Sequence, residues 1–161
     1  MDSIETRLRA LEDYIALHAI IAAYGPAVDT PDGAAVAAAY VEQGQYLAGD
    51  FAFVGLPAIQ GLVDIATHQS YLAQGCAHVL SPHRITIDGD TATAQGHSVV
   101  FVRGDGGWTA ERVSANQWRF VRTPQGWKVA QRVNRLLDGS AAARALLAPY
   151  PTDQAPSATI T

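Results

Sequence analysis

The sequence predicts an α+β fold, in which a helical first half is followed by a meander of long antiparallel strands. Apolar residues recur at helical spacing through the start of the chain. From Cys76 onward the chain turns to strand-like alternation, as in CAHVLSPHRITID. Three turn-forming clusters, Asp88-Gly89-Asp90, Gly104-Asp105-Gly106-Gly107 and Thr123-Pro124-Gln125-Gly126, divide that stretch into hairpins.

Ile4, Leu8, Leu11, Ile15 and Ala22 form one helical stripe, and Leu17, Ile21 and Tyr24 continue a neighbouring one. Gly25-Pro26 ends this helix, because proline has no N–H with which to continue it. In TPDGAAVAAAYVEQ, Asp32 stands where an N-cap or first-turn carboxylate belongs, ahead of an alanine-rich helix. Gln45 to Val54 reads as strand around a turn at Gly49-Asp50. Leu62 to Leu72 forms a short amphipathic helix with Leu62, Ile65 and Leu72 on its apolar side. Strands follow near 76–88, 91–103, 108–122 and 126–137. Residues 1–139 make one domain, and 140–161 a short alanine-rich helix with a flexible polar tail.

With 161 residues, 48% hydrophobic and 16% charged, the chain can bury a sizeable core. A net charge of −4, with Arg and Lys scattered along the strands, leaves no electrostatic footprint for nucleic acid. The apolar stretch from Tyr14 to Val28 is too short to span a bilayer, and the N-terminus lacks the apolar core of a signal peptide. The single cysteine, Cys76, cannot form an intramolecular disulfide. These features point to a cytoplasmic protein with no nucleic-acid or membrane partner. No HxH, HExxH or CxxC spacing and no phosphate loop is present, so neither metal nor cofactor is expected.

The order of elements resembles the cone-shaped fold of the nuclear transport factor 2-like superfamily over about residues 5 to 138. Four local motifs place the resemblance in its SnoaL-like branch, which includes scytalone dehydratase and the γ-hexachlorocyclohexane dehydrochlorinases. AVDTPDGAAV resembles the loop in which a catalytic Asp precedes a helix-starting one, which maps onto Asp29 and Asp32. AHVLSPHRITIDGDTATA places the catalytic His at His78, and SANQWRFVRTPQGWKVA places the dehydratase's active-site Asn at Asn116. The dehydrochlorinase's pocket arginine, five residues after the last-strand Trp, falls on Arg132. The dehydratase's two carbonyl-holding tyrosines are replaced by Val28 and about Ala48, and Tyr24 supplies a phenol nearby. His97 lies on the strand that carries the dehydratase's second pocket histidine.

The resemblance implies a cofactor-independent lyase, a dehydratase or other β-eliminating enzyme, or an isomerase, acting on a small hydrophobic, cyclic substrate. In that scheme Asp29 orients His78 and raises its basicity, and His78 removes a proton. Asn116, Arg132, Tyr24 and His97 contact the substrate or its oxyanion. Blander readings stand beside these. Asp29 is also a plausible turn residue, His78 a half-buried strand histidine, Asn116 a strand pin, Arg132 a solvated strand residue and Tyr24 a core residue. His18 and His68 read as helix-face residues, and Cys76 as a buried structural thiol. The alternative function is a non-catalytic small-ligand binding or assembly module, in which the polar set disperses or pairs internally. Hydrolysis is a third class, without a clear Asp-Arg-Asp arrangement to support it. An outer sheet face with Val99, Phe101, Trp108 and Trp118 suggests burial in a homodimer or homotrimer.

Overall fold

The computed structural model describes residues 3–149, so the expected flexible tail lies outside the described residues. Ser3 opens the first helix by accepting a hydrogen bond from the Thr6 backbone N–H at 3.1 Å. Helix α1 (Ile4–Asp29) then runs through Gly25-Pro26 rather than stopping there. Pro26 forfeits its bond to the Ala22 carbonyl, but Ala22 is exposed, while Gly25 and Val28 are buried. Tertiary packing carries the helix past the break. The consequence is functional, because the extension makes Asp29 the last residue of α1.

Asp32 caps helix α2 (Gly33–Ala38), its carboxylate accepting from the Ala35 N–H at 2.9 Å. Strand β1 (Tyr40–Ala48) begins inside the stretch expected to be helical and turns at Gly49-Asp50 into β2 (Phe51–Val54). The helix expected over 62–72 is broken. Helix α3 (Leu56–Gln60) leads into a 3-10 turn over Gly61–Asp64, and extended Ile65 precedes helix α4 (Ala66–Gln74). The strand expected over 76–88 divides at Ser81-Pro82-His83 into β3 (Cys76–Leu80) and β4 (Arg84–Asp88). Three long strands follow, β5 (Thr91–Gly104), β6 (Gly107–Thr123) and β7 (Gly126–Leu136), and then helix α5 (Ala141–Ala145).

These strands form one sheet in the order β2-β1-β7-β6-β5-β3, with β4 pairing the other half of β5. All pairs are antiparallel except β1 with β7, so the expected antiparallel sheet carries one parallel join. Register shifts between Val100 and Phe101 and between Arg119 and Phe120 bend the long strands. The core lies where Leu17, Ile21 and Val28 of α1 meet Trp118, Phe120 and Val129 of the sheet. Burying each such aliphatic side chain contributes about 1.5–3 kcal/mol.

Trp118 is therefore core, 1% exposed, and not part of the outer face expected for it. Trp108, an even number of residues earlier on the same strand, is 58% exposed. The bulge explains the pair. Arg112 sits opposite Val100 but Ala110 opposite Phe101, so the extra residue reverses the side-chain alternation between the two tryptophans. Among the described residues, no helix is long and apolar enough to cross a membrane.

Candidate active site

Gly25 sets the site. A Cβ built there would lie 2.1 Å from the His78 carbonyl oxygen, so only glycine lets α1 approach β3 this closely. One turn later, Asp29 meets the same strand. Its Oδ2 accepts from the His78 backbone N–H at 2.9 Å, and its Oδ1 pairs with the His78 ring Nδ1 at 2.7 Å. A carboxylate here accepts, so Nδ1 carries the hydrogen and Nε2 keeps the free lone pair. The expected pairing of Asp29 with His78 is present, at hydrogen-bond distance.

His78 differs from expectation in one respect. Burial holds its pKa below the usual 6.5, and the neighbouring Asp29, which pulls the other way, only partly offsets this. Burial thus favours the neutral imidazole at pH 7.

Cys76 donates its S–H to Asp29 Oδ1 at 3.5 Å. Burial, and then the Asp29 charge, push its thiol up to about 11, so it is no thiolate nucleophile at neutral pH. Asp29, Cys76 and His78 present ligand-type atoms within 4.8 Å of one another. Two of the three, however, donate hydrogens to the third, an arrangement suited to orienting an imidazole rather than converging lone pairs on a cation.

His78 lines an open cavity of about 90 Å³. Apolar walls come from Phe53, Leu62, Ile65 and Leu80, and polar groups from Tyr24, His68, Ser98 and Arg132. Arg132 is 1% exposed and, among the described residues, pairs with no carboxylate. Its Cζ stands 3.9 Å from the Tyr24 ring, 4.2 Å from Trp118 and 4.7 Å from Tyr46. Cross-strand pairing supplies two of these rings, since Arg132 sits opposite both Tyr46 and Trp118. Desolvated cation–π contacts of this kind contribute about 2 kcal/mol. Burial keeps the Tyr24 phenol well above its usual 10, hence a neutral O–H.

Asn116, expected as a substrate contact, lies behind the cavity wall instead, with no exposed surface. Its Oδ1 accepts from Arg132 Nε at 3.1 Å, Arg132 Nη2 at 2.8 Å and Asn134 Nδ2 at 3.0 Å, while its Nδ2 donates to Ser98 Oγ at 2.8 Å. It holds Arg132 in place. Arg132 Nη1, by contrast, has no hydrogen-bond partner among the described residues. A buried cationic N–H left unpaired is costly.

His97 is also displaced from its expected role. It is exposed on the opposite side of β5 from Ser98 and Val100 and does not line the cavity. The second imidazole is His68 of α4, 6% exposed, whose ring centre is 5.3 Å from that of His78. Its Nε2 donates to the Val28 carbonyl at 2.9 Å, fixing the tautomer that leaves Nδ1 unprotonated. The sequence held a signal for it: His68 falls three residues after Ile65 and four before Leu72, on the apolar stripe of its own helix. His83 is structural. Its Nδ1 donates to the Ser81 carbonyl at 2.7 Å and its Nε2 accepts from Trp118 Nε1 at 3.2 Å.

The chain matches the SnoaL-like domain over residues 9–133. An NTF2-like protein with a cystatin-like fold from Novosphingobium aromaticivorans is 49% identical, with a TM-score of 0.89, over 92% of this chain and 99% of that one. A candidate aromatic ring hydroxylase from the same organism is 25% identical, with a TM-score of 0.60, over 79% of this chain and 90% of the other. A variant of Rv3472, a Mycobacterium tuberculosis protein of unknown function, shares the fold at 22% identity and a TM-score of 0.72, over 91% and 89% of the two chains. No curated protein matches the chain. On the extent of the domain match and the agreement in fold, the chain belongs to the SnoaL-like family of the NTF2-like superfamily.

Proposed function

We propose that the chain is a cofactor-independent lyase or isomerase for a small, hydrophobic, cyclic substrate that bears a carbonyl. The observation carrying this reading is the 2.7 Å Asp29–His78 bond at the wall of a cavity that Tyr24, His68 and Arg132 also line. His78 Nε2 removes a proton from the carbon next to the carbonyl, and the electron pair moves onto the carbonyl oxygen as an enolate. The Arg132 guanidinium and the Tyr24 hydroxyl, both lining the cavity, donate to that oxyanion. Collapse of the enolate then expels a β-hydroxyl, which leaves as water with the proton that His78 Nε2 took up, or the enolate takes that proton back at a different carbon in an isomerisation. His68 Nδ1 accepts a hydrogen bond from a substrate hydroxyl and so sets its orientation. A positioned base contributes about 10²–10⁴-fold.

The second reading, a non-catalytic ligand-binding module, draws on the internal pairing of Asn116 with Arg132, Asn134 and Ser98. Both readings are tested with a panel of cyclic ketones and β-hydroxy ketones, scored by calorimetry for binding and by NMR for turnover. Turnover that disappears in His78→Ala supports the enzyme. Binding that survives in His78→Ala, with no turnover by the native chain, supports the module.

A further inference from the structure

Helix α1 has two apolar faces, and the domain uses only one. Leu17, Ile21 and Val28 are buried against the sheet, whereas Ile4, Leu8, Leu11 and Ile15 are 77%, 53%, 61% and 66% exposed. At about 100° per residue, these four fall within roughly 60° of arc, about 130° round the helix from the buried face. The rotation of α1 is fixed, because Asp13 accepts from Arg122 Nη1 at 2.7 Å and from Trp127 Nε1 at 2.9 Å. Every residue from Ser3 to Glu12 is exposed, so the first turns project beyond the body. They are nonetheless built as helix and capped by Ser3. Scattered surface leucines need no explanation, but four in one seam do.

The spacing of four, three and four residues is that of a heptad seam, with Leu8 and Ile15 at a and with Ile4 and Leu11 at d. The flanking e positions are then Glu5 and Glu12, and Arg7 is at g. In a parallel pair each g faces the next e of its partner, so Arg7 meets Glu12 of the second copy on both sides. An antiparallel pair would set the glutamates against each other. The projecting segment carries Glu5, Arg7, Arg9 and Glu12, a balanced set that lacks the basic face of a membrane-surface helix.

We infer that this stripe pairs in parallel with α1 of a second copy of the chain, joined along Leu8 and Leu11 and flanked by reciprocal Arg7–Glu12 contacts. The surface is distinct from the outer sheet face, and the two bodies sit on the far sides of the helix pair.

The test is sedimentation equilibrium of the whole chain and of Arg7→Glu, Glu12→Arg and the double reversal, with circular dichroism confirming the fold of each. Each single reversal is expected to weaken self-association at least tenfold, and the double reversal to restore it. Leu11→Cys is expected to cross-link to itself on mild oxidation, while the native chain, with Cys76 half-buried, does not. The inference is overturned by a native chain that stays monomeric, by association indifferent to the single reversals, by a double reversal that does not rescue, or by Leu11→Cys chains that do not cross-link.

Discussion

Replacing Gly25 with alanine tests the contact on which the site is built. The new Cβ would stand 2.1 Å from the His78 carbonyl oxygen, where real contacts stay beyond about 3.0 Å, so α1 must retreat by about 0.9 Å. Asp29 lies one turn further along the same helix face and moves with it. Its contacts to His78, now 2.7 and 2.9 Å, then lengthen to about 3.6 Å or more, past hydrogen-bond range. Alanine's better helix propensity returns about 1 kcal/mol. Against this stand an overpacking cost of about 1–3 kcal/mol and the loss of hydrogen bonds to a charged group, about 1.5–3 kcal/mol each. The expected net loss is at least about 3 kcal/mol, or at least about 6 °C in Tm for a domain of this size. Calorimetry reads the stability. Hydrogen exchange at the His78 amide, whose N–H is bonded to Asp29, reads the geometry and should quicken at least tenfold. Gly61→Ala is the control, because a Cβ there meets nothing within 4 Å. A Gly25→Ala chain with native Tm and native exchange at His78 would refute the reasoning.

Three further outcomes follow from the same geometry. The acid limb of kcat/KM should show an apparent pKa below the ordinary 6.5, because burial favours neutral His78 and the base is lost only once Nε2 is protonated; a limb above 6.5 contradicts this. Folding stability should fall as pH drops from about 6.5 to 4. Burial lowers the His83 pKa to about 4, so within that window the unfolded chain binds the proton and the folded chain does not. The loss is at most about 3.4 kcal/mol, and His83→Gln should flatten the profile measured by urea unfolding at stepped pH. Asn116→Ala strands two Arg132 donors and should cost about 3 kcal/mol. Asn116→Asp keeps the acceptor and adds a counter-charge, so it should retain most of the stability while weakening oxyanion binding, seen as a fall in kcat with little change in KM.

Much of the architecture was legible because strands and turns carry local signals. The three glycine-containing turns fixed β5, β6 and β7 to within a residue or two. Asp32 was readable as a cap for the same reason. The end of α1 was misread because Gly25-Pro26 is a local stop signal, and what overrides it is a contact with a strand more than fifty residues away. The break between β3 and β4 had a readable cause in Pro82, which cannot donate to a ladder. The inward turn of Trp118 depends on a bulge that alternation alone cannot locate. Within the site, the resemblance supplied Asp29 and His78, whose pairing is direct. It gave Asn116 and His97 roles that the registers do not allow, since Asn116 backs Arg132 and His97 faces solvent. His68 reads from sequence as a helix-face residue, but the face it shares with Ile65 and Leu72 is the apolar one, and it lines the cavity.

The most direct test of the account is an NMR titration of the His78 ring nitrogens in the native chain, which needs no substrate. The account predicts a proton on Nδ1 in a hydrogen bond to Asp29, a bare Nε2 at pH 7, and protonation only below pH 6.5, with the Nδ1 signature lost in Asp29→Asn. A ring protonated on Nε2 at pH 7, or one indifferent to Asp29→Asn, would contradict it.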